Sequence, residues 1–266
     1  MIGFDILVDD GLGGSGRRAE HGLSVLAEVK GCGGRVERYL FDVGQHAGTL
    51  SGNAEGVDLS GLDGVVLSHG HYDHTGGLGC LVERGVRCPV YVGPDVIRRR
   101  YSVQVGADGT LGRMRKQIGM PEPELLERFD SRVVSGVMEV SGSLTLFTLP
   151  EAAPPNARLL AADMRSADTF TDELFALVGD GEEEWLFGGC THHGLPMLLE
   201  YVFGVMGRRR LAGFIGGLHL QGRSVEEVER VADVAAGYDV GEWRLVHCTG
   251  DVAMGVWGER FSGVRG

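Results

Sequence analysis

The sequence lacks the features of an exported or membrane-embedded protein. No apolar run approaches the roughly 20 residues that cross a bilayer, and residues 1–5 lack the basic and long apolar regions of a secretion signal. The five cysteines are odd in number and none are spaced as Cys-x-x-Cys. A disulfide framework is therefore not expected. These absences predict a cytoplasmic protein with no membrane partner.

Positive charge is also scarce. The 25 Lys and Arg residues are outnumbered by 37 Asp and Glu, which gives a formal net charge of −12. This balance disfavours a nucleic-acid backbone as the main partner. One local basic group either binds a phosphate or forms a solvated helix face: Arg98, Arg99, Arg100, Arg113, Arg115 and Lys116.

No linker, low-complexity tract or repeat divides the 266 residues, and 43% of them are hydrophobic. Residues 1–266 are therefore predicted to form a single domain. Residues 4–9, 24–30 and 36–41 read as successive antiparallel strands joined by glycine-rich turns. Residues 96–130 are charged and are predicted to form a helical insertion at the rim of the site, as a lid, a homodimer contact or a specificity element.

A cluster of metal-ligand side chains follows the apolar run 65–67. The run contains β-branched valines and predicts a buried strand. His69, His71, Asp73 and His74 come directly after it. Imidazole and carboxylate groups bind zinc, manganese and iron, and four of them on one tight loop predict a metal site rather than a polar turn. His69 and His71 can reach one ion, and Asp73 and His74 a second ion about 3.5–4 Å away.

The same pattern recurs later in the chain. Cys190, His192 and His193 follow a predicted strand and two glycines, and a helix is predicted after them. His219 and His247 each follow a short predicted strand. Strands that repeatedly deliver histidines to loops, with helices between them, indicate two sheets packed face to face with outer helices.

The histidine-rich loop resembles the metal-binding signature of the metallo-β-lactamase superfamily. Residues 41–44, Phe-Asp-Val-Gly, are similar to the Phe-Asp-Thr-Gly that precedes that signature. Residues 20–24, 189–194, 216–220 and 247–250 look like one branch of the superfamily, which includes 7,8-dihydropterin-6-methyl-4-(β-D-ribofuranosyl)aminobenzene-5′-phosphate synthases. The resemblance implies an α+β fold, the αβ/βα four-layer sandwich, with metals at one edge.

The chain departs from the superfamily pattern at two places. The superfamily often takes a third histidine for its first metal from a Gly-His-Ser/Thr-x-Gly motif, whereas residues 144–155 contain no histidine. Cys190 also stands where a bridging aspartate would follow glycine. We expect His192 to join His69 and His71 on the first ion. Asp73, His74 and His247 are expected to hold the second, with Cys190 either a bridging thiolate or a buried inert thiol.

Five further residues are candidates for supporting roles. Asp42 orients a ligand histidine or anchors its loop. His21 lines the active site or caps a strand. Asn53 contacts substrate or backbone, and His193 packs or binds substrate. His219 is a substrate contact, an acid–base group or a structural residue.

These features predict a metal-dependent hydrolase of a small, possibly phosphorylated, molecule. One or two divalent ions, zinc first, with manganese or iron as alternatives, would activate water. Asp73 would orient that water while also ligating, and His219 or His21 would protonate the leaving group. The alternatives are a pterin-type synthase that condenses a dihydropterin pyrophosphate with an arylamine ribose phosphate, a diiron redox enzyme, and a non-catalytic metal or ligand sensor.

Overall fold

The computed structural model describes residues 2–12, 16–30, 34–105, 110–179 and 183–266, without the side chains of Val105, Leu111 and Arg113. The predicted glycine-rich turns at 13–14, 31–33 and 180–181 lie outside these residues. The helices are α1 Ala47–Asn53, α2 Tyr72–Thr75, α3 Leu78–Glu83, α4 Leu195–Glu200, α5 Val225–Ala235 and α6 Asp251–Arg260. The first eight strands are β1 Ile2–Val8, β2 Ser24–Lys30, β3 Val36–Phe41, β4 Gly64–Leu67, β5 Val90–Val92, β6 Tyr101–Val105, β7 Leu111–Gln117 and β8 Ser131–Val133. The others are β9 Val137–Ser141, β10 Leu144–Thr148, β11 Leu159–Leu160, β12 Leu174–Gly179, β13 Glu184–Gly188, β14 Leu211–Gly216, β15 Val240–Leu245 and β16 Val264–Arg265.

Two mixed sheets form the centre of the fold. The first has the order β1-β2-β3-β4-β5-β8, and the second has the order β16-β15-β14-β13-β12-β10-β9. The strands are antiparallel from β1 to β3 and from β9 through β10 and β12 to β13. They are parallel from β3 to β8 and from β13 to β16. The carboxyl ends of the parallel strands in each sheet share one edge, where loops enter the site.

The period-2 alternation of the strands assigns their side chains to separate layers. Leu26, Val65 and Leu67 pack into the core beneath α1 and α3, whereas Val66 faces the other sheet. Between the sheets, the rings of Phe41 and Phe187 lie 4.2 Å apart at their centroids. A third core packs β12 to β15 against α4, α5 and α6. These layers confirm the predicted αβ/βα sandwich.

The C-terminal helices follow the sequence pattern closely. Ser224 caps α5 by accepting from the backbone N–H of Glu227, whose side chain accepts from the N–H of Ser224 in return. Val228 and Ala235 are buried on the inner face of α5, as its spacing predicts. No helix among the described ranges is long and apolar enough to cross a membrane.

The predicted helical insertion at residues 96–130 is wrong in its secondary structure. The segment contains the antiparallel strands β6 and β7, which extend into a three-stranded sheet with β11, and then a 3₁₀ helix at Pro123–Arg128. The alternation of Tyr101 and Val103 with polar residues is a strand pattern, which the high charge of the segment concealed. A lid or dimer role for the segment stays a prediction.

Backbone strain is concentrated at the edge where the loops meet. Asp42, Phe170, Thr191, His219 and His247 all have φ between 49° and 56°, a left-handed conformation that non-glycine residues rarely adopt. Gly189 lies at the same edge of the fold. A Cβ on Gly189 would stand only 2.1 Å from the hydroxyl oxygen of Ser68. The two sheets therefore approach so closely here that only glycine fits.

Candidate metal centre

Three histidines form a first ligand set, defined as His69, His71 and His192. His69 and His71 follow β4, and His192 follows β13 in the other sheet. Nε2 of His69 lies 3.2 Å from Nε2 of His192. Nε2 of His71 is buried and has no hydrogen-bond partner among the described residues. The ligand atoms of all three lie within 4.8 Å of one another, so one ion can contact all three.

The environment keeps this set unprotonated. Burial and the neighbouring imidazoles hold the pKa of His69 and His192 well below its ordinary value. Burial also lowers the pKa of His71, with Arg100 adding to the effect. Three neutral imidazoles that crowd their nitrogens together are suited to ligating a cation.

Neighbouring side chains fix the orientation of two of these rings. The Ser68 hydroxyl donates to Asp42 Oδ2 at 2.7 Å and lies 3.0 Å from Nδ1 of His69. Because that hydroxyl hydrogen is already used, the contact requires His69 Nδ1–H as donor, which leaves its Nε2 lone pair free. The ring of Phe170 stacks on His192 with centroids 3.8 Å apart.

A second ligand set consists of Asp73, His74 and His247. Asp73 Oδ2 lies 3.8 Å from Nε2 of His74 and 3.3 Å from Nε2 of His247. Nδ1 of His74 donates to Asp42 Oδ2 at 2.6 Å. His247 donates through Nδ1 to Asp10 Oδ1 at 2.7 Å, so in the neutral rings each Nε2 presents a lone pair. Lone pairs facing a carboxylate across these distances fit a cation between them.

Two cysteines lie beside the second set. Cys190 Sγ is 3.2 Å from Nε2 of His74, and the ligand atoms of Cys190, His247 and Cys248 lie within 4.8 Å of one another. Burial and its contact with Cys248 raise the pKa of the Cys190 thiol well above its ordinary value. Burial opposes the ionisation of Cys248, but the contact with Cys190 and the charge of His247 outweigh it and lower its pKa. A thiolate is thus favoured within the pair.

Both sets contribute to the lining of a cavity of about 490 Å³, the first through His71 and His192 and the second through Asp73 and His247. His219 lines it, with its ring centroid 4.4 Å from that of His192 and its Nδ1 unpartnered within the described part of the chain. His21 also lines it. Lys116 from β7 and Arg158 before β11 also line the cavity, and neither has an acidic partner within the described residues.

A second lobe of about 450 Å³ adjoins this cavity and shares His192 and His219 with it. Its lining is mainly apolar and includes Pro155, Leu220 and Val231. The metal residues thus lie between a polar lobe and an apolar lobe. The cleft can accommodate a substrate with one polar and one apolar part, or two substrates side by side.

Two candidate substrate contacts do not reach the cavity, which corrects those predictions. Asn53 is 8% exposed and donates through Nδ2 to the carbonyls of Leu7 and Arg18. His193 is 2% exposed, and its ring nitrogens bond to Glu173 and to the Glu151 carbonyl. Both side chains anchor loops, because every polar atom that could bind substrate already has a protein partner.

Several residues of the site were missed by sequence reasoning. Asp10 orients His247, and Glu173 accepts from the backbone N–H groups of His192 and His193. The buried Arg100 pairs with Asp172, whose other oxygen accepts from the Gly70 N–H in the metal loop. The only sequence signal for Asp10 is its position at the end of a strand, next to Asp9. Other missed residues are Cys248, Phe170 and Arg158.

Two packed sheets with two sets of metal-ligand side chains at one edge define a candidate metalloprotein. The family model of the metallo-β-lactamase superfamily matches residues 6–205. The chain belongs to this superfamily.

Three relatives show how far the similarity extends. The chain is 26% identical over 261 residues to the 7,8-dihydropterin-6-methyl-4-(β-D-ribofuranosyl)-aminobenzene-5′-phosphate synthase of Methanocaldococcus jannaschii, covering 91% of this chain and 85% of that protein. It is 28% identical over 248 residues to the uncharacterised protein MJ0448 of the same organism, covering 89% and 86%. Among solved structures it is similar to Tm1679, described as a metal-dependent hydrolase of the β-lactamase superfamily. That match has a TM-score of 0.79 and 25% identity, and covers 99% of this chain and 94% of that one.

Proposed function

We propose that this protein is a metal-dependent enzyme that holds two divalent ions, zinc first, and hydrolyses a small anionic substrate. The observation that carries the proposal is that two ligand sets lie together and that both contribute side chains to the lining of one cavity. The first set would hold one ion. The second set would hold the other, with Cys190 at its side.

Each nearby side chain has a distinct task in this proposal. A bound divalent ion would lower the pKa of water and polarise a carbonyl or phosphoryl oxygen. The carboxylate of Asp73 orients the attacking water from the cavity floor. His219, whose Nδ1 is unpartnered within the described residues, donates a proton to the leaving group. Phe170 shields the first set from bulk water by stacking on His192.

The charges at the cavity wall favour a phosphorylated substrate. Lys116 and Arg158 line the cavity without acidic partners in the described ranges, although the chain as a whole carries a net charge of −12. Such cations bind phosphate through charge-assisted hydrogen bonds worth about 1.5–3 kcal/mol each. The apolar lobe would receive the organic part of the same substrate.

A synthase is the second candidate. The relative with 26% identity is named a 7,8-dihydropterin-6-methyl-4-(β-D-ribofuranosyl)-aminobenzene-5′-phosphate synthase. A two-lobed cleft on either side of His192 and His219 suits two substrates, an anionic one beside Lys116 and a flat apolar one beside Leu220. The same ions would then polarise a leaving pyrophosphate.

Turnover assays with identified products separate these candidates. The zinc-loaded protein is incubated with phosphomonoesters, phosphodiesters and carboxylic esters, and separately with a dihydropterin pyrophosphate plus an arylamine ribose phosphate. Hydrolysis of the first group supports the main proposal, and pyrophosphate release only with the pair supports the synthase. His71→Ala should abolish either activity. Retained metal with no turnover on any substrate would overturn both in favour of a sensor.

The proposed roles of Lys116 and Arg158 can be tested against a matched control. Lys116→Ala and Arg158→Ala should each raise KM for a phosphorylated substrate by roughly 10-fold or more, since each loses a charge-assisted contact. Arg209 is exposed and does not line the cavity, so Arg209→Ala should leave KM unchanged. Equal effects of all three would show that general charge, rather than a phosphate site, is responsible.

A further inference from the structure

His21 lies beside the second ligand set, although it is distant in sequence from all three residues of that set. It lies in the loop before β2, and its side chain is 48% exposed. Its Nε2 is 3.3 Å from Asp73 Oδ2. Its ring lies 5.0 Å from the ring of His247, centroid to centroid. The imidazole therefore approaches the same carboxylate oxygen as the two histidines of the second set.

One carboxylate orients both His21 and His247. Asp10 Oδ2 is 2.9 Å from Nδ1 of His21, and Asp10 Oδ1 is 2.7 Å from Nδ1 of His247. A carboxylate only accepts, so both Nδ1 atoms carry the hydrogen. In the neutral rings both Nε2 atoms are then bare lone pairs. Each of them then faces Asp73 Oδ2 at 3.3 Å, so either a proton or a metal ion can lie between nitrogen and oxygen, and an ion would displace the proton.

The distances of three ring nitrogens from Asp73 are close to those between ligands of one ion. Three Nε2 atoms, from His21, His74 and His247, lie 3.3 to 3.8 Å from Asp73 Oδ2. Ligands at about 2.0–2.1 Å from a tetrahedral zinc are separated by roughly 3.4 Å. The arrangement of a histidine that ligates through Nε2 while donating Nδ1–H to a carboxylate is a recurrent way to aim a metal ligand.

We propose that His21 is a ligand of the second ion, and that Asp10 aims two ligands of that ion at once. This inference rests on the proposed function, because it requires an ion at the second set. The second ion would then be held by His21, Asp73, His74 and His247. His21 would not be a substrate contact, and Cys190 would not be needed to complete four ligands.

His46 provides a matched control. Its Nδ1 also pairs with a carboxylate, Glu20 Oε2, at 2.8 Å, and its side chain is 62% exposed. Its Nε2, however, faces the side-chain amide of Gln45 at 3.1 Å rather than Asp73. His46→Gln therefore removes the same kind of surface ion pair without touching either ligand set.

The test is zinc titration of the metal-free protein by calorimetry, with wild type, His21→Gln, Asp10→Asn and His46→Gln. The expected result is two ions in the wild type. Asp10→Asn should weaken the second ion by about 10–100-fold, as loss of an orienting carboxylate does, and His21→Gln by at least as much. His46→Gln should bind as the wild type does. A second ion bound by His21→Gln with wild-type affinity would overturn the inference, and a raised KM in that variant would make His21 a substrate contact.

A second measurement does not depend on variants. Nitrogen-15 labelled histidine reports on each ring nitrogen, with His21 assigned by its loss in His21→Gln. The His21 Nε2 resonance should move to that of a metal-ligated nitrogen on addition of the second equivalent of zinc. A His21 ring with hydrogens on both nitrogens in the zinc-loaded protein would contradict ligation. If the wild type binds fewer than two ions, the proposed function fails and the inference fails with it, whereas failure of His21 alone leaves two ions in place.

Discussion

Asp42 Oδ2 accepts a 2.6 Å hydrogen bond from Nδ1 of His74, and neither side chain is exposed to solvent. Asp42 follows β3 and His74 lies in α2, so the contact joins two loops at the edge of the first sheet. It fixes the tautomer of His74 and directs its Nε2 toward Asp73. The metal-facing geometry of the second set therefore depends on a residue that does not itself face the cavity.

Weakening this contact should weaken the second ion more than the first. Asp42→Asn keeps the shape of the side chain and tolerates the left-handed backbone at this position, but it removes the charge that supports His74. We expect the second ion to bind about 10–100-fold more weakly, as measured by zinc titration. The first ion should lose less affinity, because His69 contacts Asp42 only through the Ser68 hydroxyl. Asp58→Asn, at an exposed aspartate that bonds Ser60, is the control. A larger loss of affinity at the first ion than at the second in Asp42→Asn would contradict the assignment.

The two ions should respond differently to pH. Burial and neighbouring imidazoles keep the pKa of His69 and His192 low, so few protons compete for the first set. Burial lowers the pKa of His247 too, but Cys248, Asp10 and Asp73 outweigh it and raise that pKa. Protons therefore compete with the second ion as pH falls, by about 10-fold per pH unit for each proton displaced.

Zinc titrations at pH 8, 7 and 6 check this order. As pH falls, the affinity for the second ion should decrease before the affinity for the first. Binding of the second ion should also release more protons, which is measured by repeating the calorimetric titration in buffers of different ionisation enthalpy. Simultaneous loss of both ions, or earlier loss of the first, would be inconsistent with the assigned ligand sets.

The packing between the two sheets should contribute strongly to the free energy of unfolding. Phe187 is fully buried against Phe41, so Phe187→Ala should lower the free energy of unfolding by about 3–5 kcal/mol. Val205 is 71% exposed, and Val205→Ala should change it by no more than about 0.5 kcal/mol. Urea denaturation of the zinc-loaded proteins measures both. A small loss in Phe187→Ala would mean that the two sheets are not packed as described.

The role of Asn53 can be tested in the same way. Asn53→Ala removes hydrogen bonds to Leu7 and to the backbone of Arg18, and we expect a loss of about 1–3 kcal/mol in unfolding free energy. KM for substrate should not change, because the side chain does not line the cavity. A raised KM with unchanged stability would restore Asn53 as a substrate contact.

The local parts of the fold and site were predictable because their signals are local. The strands at 24–30 and 36–41 follow from short strand-type segments bounded by glycine-rich turns, and the cluster from His69 to His74 lies within six positions of sequence. The insertion at 96–130 was predicted incorrectly, since charge was weighted above the alternation in β6.

The remaining parts depend on contacts between distant segments. Asp10 and His247 are 237 positions apart, and nothing near either residue indicates that they meet. The burial of His193 depends on Glu173, in a different loop. His219 and His247 adopt the left-handed backbone conformation at the edge where the loops meet. The pattern of residues within one strand does not predict this conformation.

The most direct measurement is zinc content per chain for protein loaded and then freed of excess metal, in the wild type, His192→Ala and His247→Ala. The wild type should hold two ions. His192→Ala should lose the first ion and His247→Ala the second, so that each variant holds about one. One ion or none in the wild type, or two in His192→Ala, would contradict the two ligand sets on which this account depends.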